Sequence, residues 1–180
     1  MTVAAVAFIA RSGTGKTTLL ERLLPILAGR GYRVGAIKHD AHRFDIDRPG
    51  KDSHRLTAAG AATVLITSSE KLALVKNHPQ SPPAEELIDR YFRDMDLVLV
   101  EGFRKSALPK IELCRKEMNA PLICRGEFDD PALLAVVSDA PLAVDVPLLD
   151  LNAPDQVADF IEERILKGAA PPGPISRPLK

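Results

Sequence analysis

VAAVAFIARSGTGKTTLLERLLPIL, Val3 to Leu27, decides the fold. Its first eight residues, Val3 to Ala10, are an unbroken apolar run that ends at a Gly-containing turn. Such a run is expected of a strand buried on both faces in the middle of a parallel sheet. Beyond the turn, Leu19, Leu20, Leu23, Leu24, Ile26 and Leu27 recur at helical spacing, which predicts a helix from Lys16 to about Gly29. Gly29 and Gly31 offer the positive φ that a helix exit favours.

Between strand and helix lies ARSGTGKTT, Ala10 to Thr18. It matches the phosphate-binding pattern of a P-loop except at Ala10, which stands where the first Gly is usual and fits if its φ is negative. Backbone N–H groups of Ser12, Gly13, Thr14 and Gly15 would form an anion nest at the positive end of the helix. Lys16 would reach the β and γ phosphates, serving binding and catalysis, the Thr17 hydroxyl would bind Mg²⁺, and Thr18 would support the α-phosphate. The alternative is a chance Gly-rich turn, which the strand-loop-helix context disfavours. A second buried run, DLVLVEG from Asp96 to Gly102, ends in Glu101. If its strand lies close to the first, Glu101 emerges on the same sheet edge and completes the metal site. Asp96, at the other end, reads as a solvated residue.

Working outward, Tyr32 to Lys38 is predicted as the second strand. His39 to Ser53 is a polar segment long enough for an α/β loop to suggest function. A helix is expected at Asp52 to Ala59, strands at Thr63 to Thr67 and Lys71 to Val75, and an amphipathic helix at Pro83 to Arg93. Lys110 to Cys114 alternates polar and apolar residues as a strand can, Leu133 to Val137 is a further buried strand, and Ala153 to Leu166 a closing helix. The pattern predicts an α/β fold, a P-loop NTPase with a doubly wound, mostly parallel sheet flanked by helices. The 180 residues suit one domain over residues 1–167, and the Pro-rich stretch 168–180 is expected to be disordered.

Composition narrows the partners. Lys plus Arg and Asp plus Glu are 24 each, so no global field steers the chain to nucleic acid or anionic lipid. Aromatic residues make up only 4%, with no Trp, so a base-stacking platform is not expected. The apolar runs are too short for a membrane span, and two cysteines without a recognisable export signal suggest the cytoplasm.

Five blocks resemble the MobB family, the GTP-binding adaptors of molybdopterin guanine dinucleotide biosynthesis. They are SGTGKTTL (Ser12 to Leu19), IKHDAHRFDID (Ile37 to Asp47), GKDSHRLTAAGA (Gly50 to Ala61), VLVEGFRK (Val98 to Lys105) and PKIELCR (Pro109 to Arg115). The second and third are far more specific than a P-loop. The resemblance implies GTP with Mg²⁺ as the ligands, at most slow GTPase activity, and a homodimer. It also implies molybdopterin as a ligand, and work beside the molybdenum cofactor guanylyltransferase and neighbouring pathway enzymes. No block matches the proline-rich tail.

Several residues keep two readings. Lys38, His39, His42, Arg43, Arg48, Lys51 and Arg55 gather donors that suit a phosphate-bearing pterin or the nucleotide. Asp40 would orient an attacking water near the γ-phosphate, or is an exposed loop carboxylate. Asp139, after the run ending at Val137 and Ser138, would accept from guanine N1–H and its 2-amino group, or is a turn former ahead of Pro141. The chain has no NKxD signature to read the base. His39, His42 and His54 with Cys114 and Cys124 fit no strong zinc spacing, although a GTP-driven metal-insertion chaperone would use the His cluster as its metal site. A small-molecule kinase would need an Arg-bearing lid, and none is evident between Asp129 and Leu166.

Overall fold

The computed structural model describes residues 3–39, 44 and 46–168. These fall into two compact units, a larger one running up to His39 and resuming at Pro83, and a smaller one formed by Asp40–Pro82.

The larger unit carries β1 (Ala4–Ile9), β2 (Val34–Lys38), β5 (Leu97–Glu101), β6 (Lys110–Cys114), β7 (Leu133–Ser138) and β8 (Leu148–Asp150) in a sheet ordered β2-β5-β1-β6-β7-β8. Every pairing in it is parallel. Parallel strands need crossovers, and the helices that provide them cover both faces. On one face, α1 (Lys16–Gly29) and α4 (Pro154–Ile161) bury Leu19, Leu23, Leu27, Val157 and Ile161 against Val6, Phe8, Leu97 and Leu99. On the other, α3 (Ala84–Tyr91) sets Ala84 and Ile88 against Ala5, Ala7, Val98 and Val100. Because β1 lies between β5 and β6, their carboxyl ends flank the loop that follows β1.

The smaller unit holds α2 (Asp52–Ala58) and a two-stranded antiparallel sheet of β3 (Thr63–Thr67) and β4 (Leu72–Lys76). Leu65 pairs across it with Leu74, and Thr67 with Leu72.

Most elements lie within a residue or two of their predicted bounds, and two differences stand out. The expected helix to Leu166 is α-helical only to Ile161 and continues as a π-helical turn, Glu162–Leu166, closed by Lys167 N–H donating to Glu162 O. The wider turn keeps Ile165 buried while the Glu162 carboxylate meets Arg30 and Tyr32. Secondly, β8 has no counterpart in the sequence reading, because three residues beside Pro147 are too short to show a period. The strand expected at Lys110 to Cys114 is β6 at those bounds, and it is buried. Both polar side chains are buried, Lys110 at 1% exposure and Glu112 at 2%. Lys110 Nζ lies 2.9 Å from Asp130 Oδ2, and the Glu112 carboxylate accepts from the N–H groups of Ile123 and Cys124. Residues 169–180, most of the tail expected to be disordered, lie outside the described residues.

Candidate functional site

The loop after β1 turns into α1 through two glycines in the left-handed region, Gly13 at φ 80° and Gly15 at φ 97°. Among the described residues, only Phe103 and Asn119 combine a side chain with positive φ, so Ala10 keeps the negative φ it needs. Thr14 is buried at 2% exposure and folds the loop back on itself, its Oγ1 donating to Arg11 O at 2.8 Å. Ser12, Gly13, Thr17 and Thr18 are exposed. Lys16 extends along the same loop and donates from Nζ to Ala10 O at 3.0 Å and Arg11 O at 3.3 Å. Burial lowers the Lys16 pKa, with Glu101 opposing that effect and Lys38 adding to it.

The strand register delivers Glu101 to this loop. Its partners are Phe8 in β1 and Lys38 in β2, so it leaves the carboxyl edge beside the loop. Thr17 Oγ1 donates to Glu101 Oε2 at 3.0 Å, and Lys38 Nζ lies 3.8 Å from Glu101 Oε1. Behind the carboxylate the backbone is constrained. Gly102 has φ 97° and Phe103 φ 55°, a conformation that a bulky residue adopts only when its surroundings enforce it. The enforcing contacts are visible: His39 N–H donates to Glu101 O at 2.9 Å, and the His39 and Phe103 rings meet at a centroid distance of 4.3 Å. A Cβ on Gly102 would come within 3.2 Å of His39 Cβ and O, a tight contact added to the positive φ that already favours glycine.

On the other flank stand the carboxyl ends of β6 and β7. Arg115, the residue after β6, donates from Nε to Thr14 O at 2.8 Å and pairs through NH1 with Asp139 Oδ2 at 3.6 Å. Asp139, the residue after β7, accepts at Oδ1 from Lys116 N–H at 2.9 Å. Here opens a cavity of about 390 Å³ lined by Arg115, Lys116, Asn119, Pro121, Ser138 and Leu142, among others. Its place, beside a phosphate-type loop and outside the carboxyl ends of parallel strands, is where such sheets hold ligands. Sequence reasoning pointed to Asp139 but missed Arg115 and the segment 116–121. The signal for Arg115 was its position one residue beyond a strand next to β1. The loop is braced beyond this too, since Arg11 NH2 donates to Pro121 O at 3.2 Å and pairs with Glu127 at 2.9 Å.

Asp40, His42 and Arg43 lie outside the described residues. Of the basic cluster, Lys38 and His39 belong to the larger unit, while Arg48, Lys51 and Arg55 belong to the smaller one. Among the described residues, no group of three or more His, Cys, Asp or Glu is placed to hold a metal ion. Burial and the nearby Glu112 push the Cys124 thiol up to about 12, so it is no ready thiolate ligand. No helix among the described residues is long and apolar enough to cross a membrane.

Comparison with known proteins gives the family. The family model described as molybdopterin guanine dinucleotide synthesis protein B matches residues 5–139, from β1 to Asp139. A Haemophilus influenzae protein named molybdopterin-guanine dinucleotide biosynthesis adapter protein is 45% identical over 152 residues, which is 84% of this chain and 83% of that protein. Its Escherichia coli K12 namesake is 44% identical over 170 residues, covering 89% of this chain and 93% of its own. Among solved structures, a crystal structure of MobB from Bacillus subtilis superposes with a TM-score of 0.72 at 25% identity, covering 90% of this chain and 98% of that one. Another, of molybdopterin-guanine biosynthesis protein B, gives 0.68 at 29% identity, covering 89% and 97%. With the family model spanning the loop after β1, Glu101 and Asp139, the chain belongs to the MobB family, molybdopterin guanine dinucleotide synthesis protein B.

Proposed function

We propose that this chain is a GTP-binding adaptor in molybdenum cofactor biosynthesis, assisting the attachment of GMP to molybdopterin, with at most slow GTPase activity of its own. The observation that carries the nucleotide part is the meeting of Thr17 and Glu101 at 3.0 Å beside Lys16. A hydroxyl and a carboxylate are the hard oxygen donors Mg²⁺ prefers, and an ammonium beside them suits phosphate oxygens. Mg²⁺ would neutralise phosphate charge there, with Thr17 and Glu101 among its holders. Gly13 and Gly15 let the backbone curl its N–H groups around the β-phosphate, Ser12 and Thr14 extend the nest, and Thr18 supports the α-phosphate. Lys16 moves from the carbonyls of Ala10 and Arg11 to the phosphates. Asp40, which lies outside the described residues, is the residue assigned to orient the attacking water in slow hydrolysis.

The guanine base occupies the cavity between the ends of β6 and β7. Ser138 and Ala140 line it, Asp139 stands between them in the chain, and a carboxylate has about four lone-pair sites. After the contacts to Lys116 and Arg115, capacity remains for guanine N1–H and its 2-amino group. Adenine offers no such donor pair there.

The adaptor part rests on the family and on the names of its relatives. In this account the chain works in the cytoplasm as a homodimer, meets molybdopterin, and contacts the guanylyltransferase and neighbouring enzymes. The smaller unit supports the dimer. Val64 is its single buried hydrophobic among the described residues, whereas Leu56, Leu65, Ile66 and Leu72 are exposed. An exposed apolar sheet of two strands with open edges is matched by its own copy under two-fold symmetry. The test is capture of partners on the full chain with GTP and Mg²⁺, identified by mass spectrometry. Recovery of molybdenum cofactor enzymes supports the adaptor role, and recovery of an unrelated small-molecule pathway overturns it.

A further inference from the structure

We propose that Arg115 is a positioning residue that sets the phosphate nest, and that Asp139 acts on phosphate binding through it. The inference rests on the nucleotide site proposed above and extends it to a residue outside the loop. Arg115 Nε donates to Thr14 O at 2.8 Å, across 101 residues of sequence. The described chain has no cis peptide, so in the planar Thr14–Gly15 peptide the carbonyl and the N–H point in opposite directions. Holding Thr14 O outward, toward β6, therefore turns the Gly15 N–H inward to the concave side where phosphate oxygens lie. A peptide left free to flip would present its carbonyl there, replacing a donor with a repelling dipole.

Gly15 bears the mark of this contact. A Cβ on it would stand 3.3 Å from Arg115 NH2 and 3.7 Å from Nε, so the guanidinium lies against the bare backbone. The glycine thus serves both its φ of 97° and this close approach. The far side of the guanidinium is fixed in turn. NH1 lies 3.6 Å from Asp139 Oδ2, while Oδ1 of that carboxylate is tied to Lys116 N–H at 2.9 Å. A planar fork is required, because Nε and NH1 face two acceptors at once, and a single ammonium cannot reproduce that. The chain Asp139, Arg115, Thr14 carbonyl therefore links the base cavity to the phosphate loop.

The test separates phosphate from base by using magnesium tripolyphosphate, which has no base, beside magnesium GTP. Affinities are measured by calorimetry on the full chain for wild type, Arg115→Ala, Arg115→Lys, Asp139→Asn and Lys16→Ala, with thermal midpoints recorded alongside. Arg115→Ala should weaken tripolyphosphate and GTP by a similar factor, roughly tenfold for a lost contact to a charged group. Its thermal midpoint should stay near that of wild type, since the side chain is 31% exposed. Arg115→Lys should recover only part of the loss. Asp139→Asn should weaken tripolyphosphate by a smaller factor, which a residue that only reads the base would not do. Wild-type tripolyphosphate affinity in both Arg115 variants, with binding abolished in Lys16→Ala, overturns the inference and leaves the nucleotide site standing. Failure of wild type to bind either ligand removes the site itself, and the inference with it.

Discussion

At the scale of single residues, the site depends on where a carboxylate and a hydroxyl meet. Glu101→Gln keeps the shape of the side chain but replaces a hard anionic ligand with an amide, a poor partner for Mg²⁺. GTP affinity should fall several-fold with Mg²⁺ present and hardly at all in its absence, as read by titration in magnesium and in EDTA. Equal losses in both would make Glu101 a structural residue. Asp139→Asn addresses the base. The new amide presents an N–H₂ toward the ring, which suits the C2 oxygen of xanthine, so preference should move from GTP toward xanthosine triphosphate by about 10²-fold. Any weakening transmitted through Arg115 acts on both nucleotides and leaves their ratio alone. An unaltered guanine preference in a competition assay would mean that the base is read elsewhere.

At the scale of elements, β6 shows both the reach and the limit of the sequence. The phosphate loop, its strand and its helix were legible because apolar period, glycine placement and the GKT triplet all agree at Val3 to Leu27. Glu101 was legible because a buried run ends on an acid. The burial of Lys110 and Glu112 was not legible, since their partners, Asp130 and the N–H groups of Ile123 and Cys124, lie outside the strand and no local period reveals them. Arg115 was hidden for the same reason, its acceptor lying 101 residues away. The buried pair yields a prediction of its own. Burial alone would raise the Asp130 pKa, yet the bond to Lys110 and the Ala132 N–H outweigh it and hold the carboxyl below its ordinary value. A carboxyl depressed on folding contributes stability above its unfolded pKa of about 4, and that contribution is lost as pH falls through the lower folded value. Asp130→Asn leaves the Lys110 ammonium buried without its counter-ion and should cost about 3 kcal/mol near neutral pH. Denaturant melts should show that gap closing in acid, where wild type loses the same pair. A gap that stays constant with pH would mean the pair contributes nothing.

At the scale of the whole molecule, the larger unit carries the nucleotide loop, Glu101 and Asp139, and the smaller one an apolar hairpin. Truncation after Lys167 should leave the proposed homodimer intact by light scattering, since the sequence beyond it offers little to bury. Leu65→Asp, at a side chain 54% exposed, should yield monomers without loss of GTP binding. A dimer that survives Leu65→Asp would move the interface away from the hairpin. The central claim, that this chain acts through a nucleotide held at the loop after β1, is tested most directly by calorimetric titration of GTP with Mg²⁺ into wild type and Lys16→Ala. The account predicts one site per chain in wild type, preference over ATP, and no measurable binding in a variant that keeps its wild-type melting curve, because Lys16 serves the ligand and not the core. Equal GTP affinity in the two proteins would contradict it.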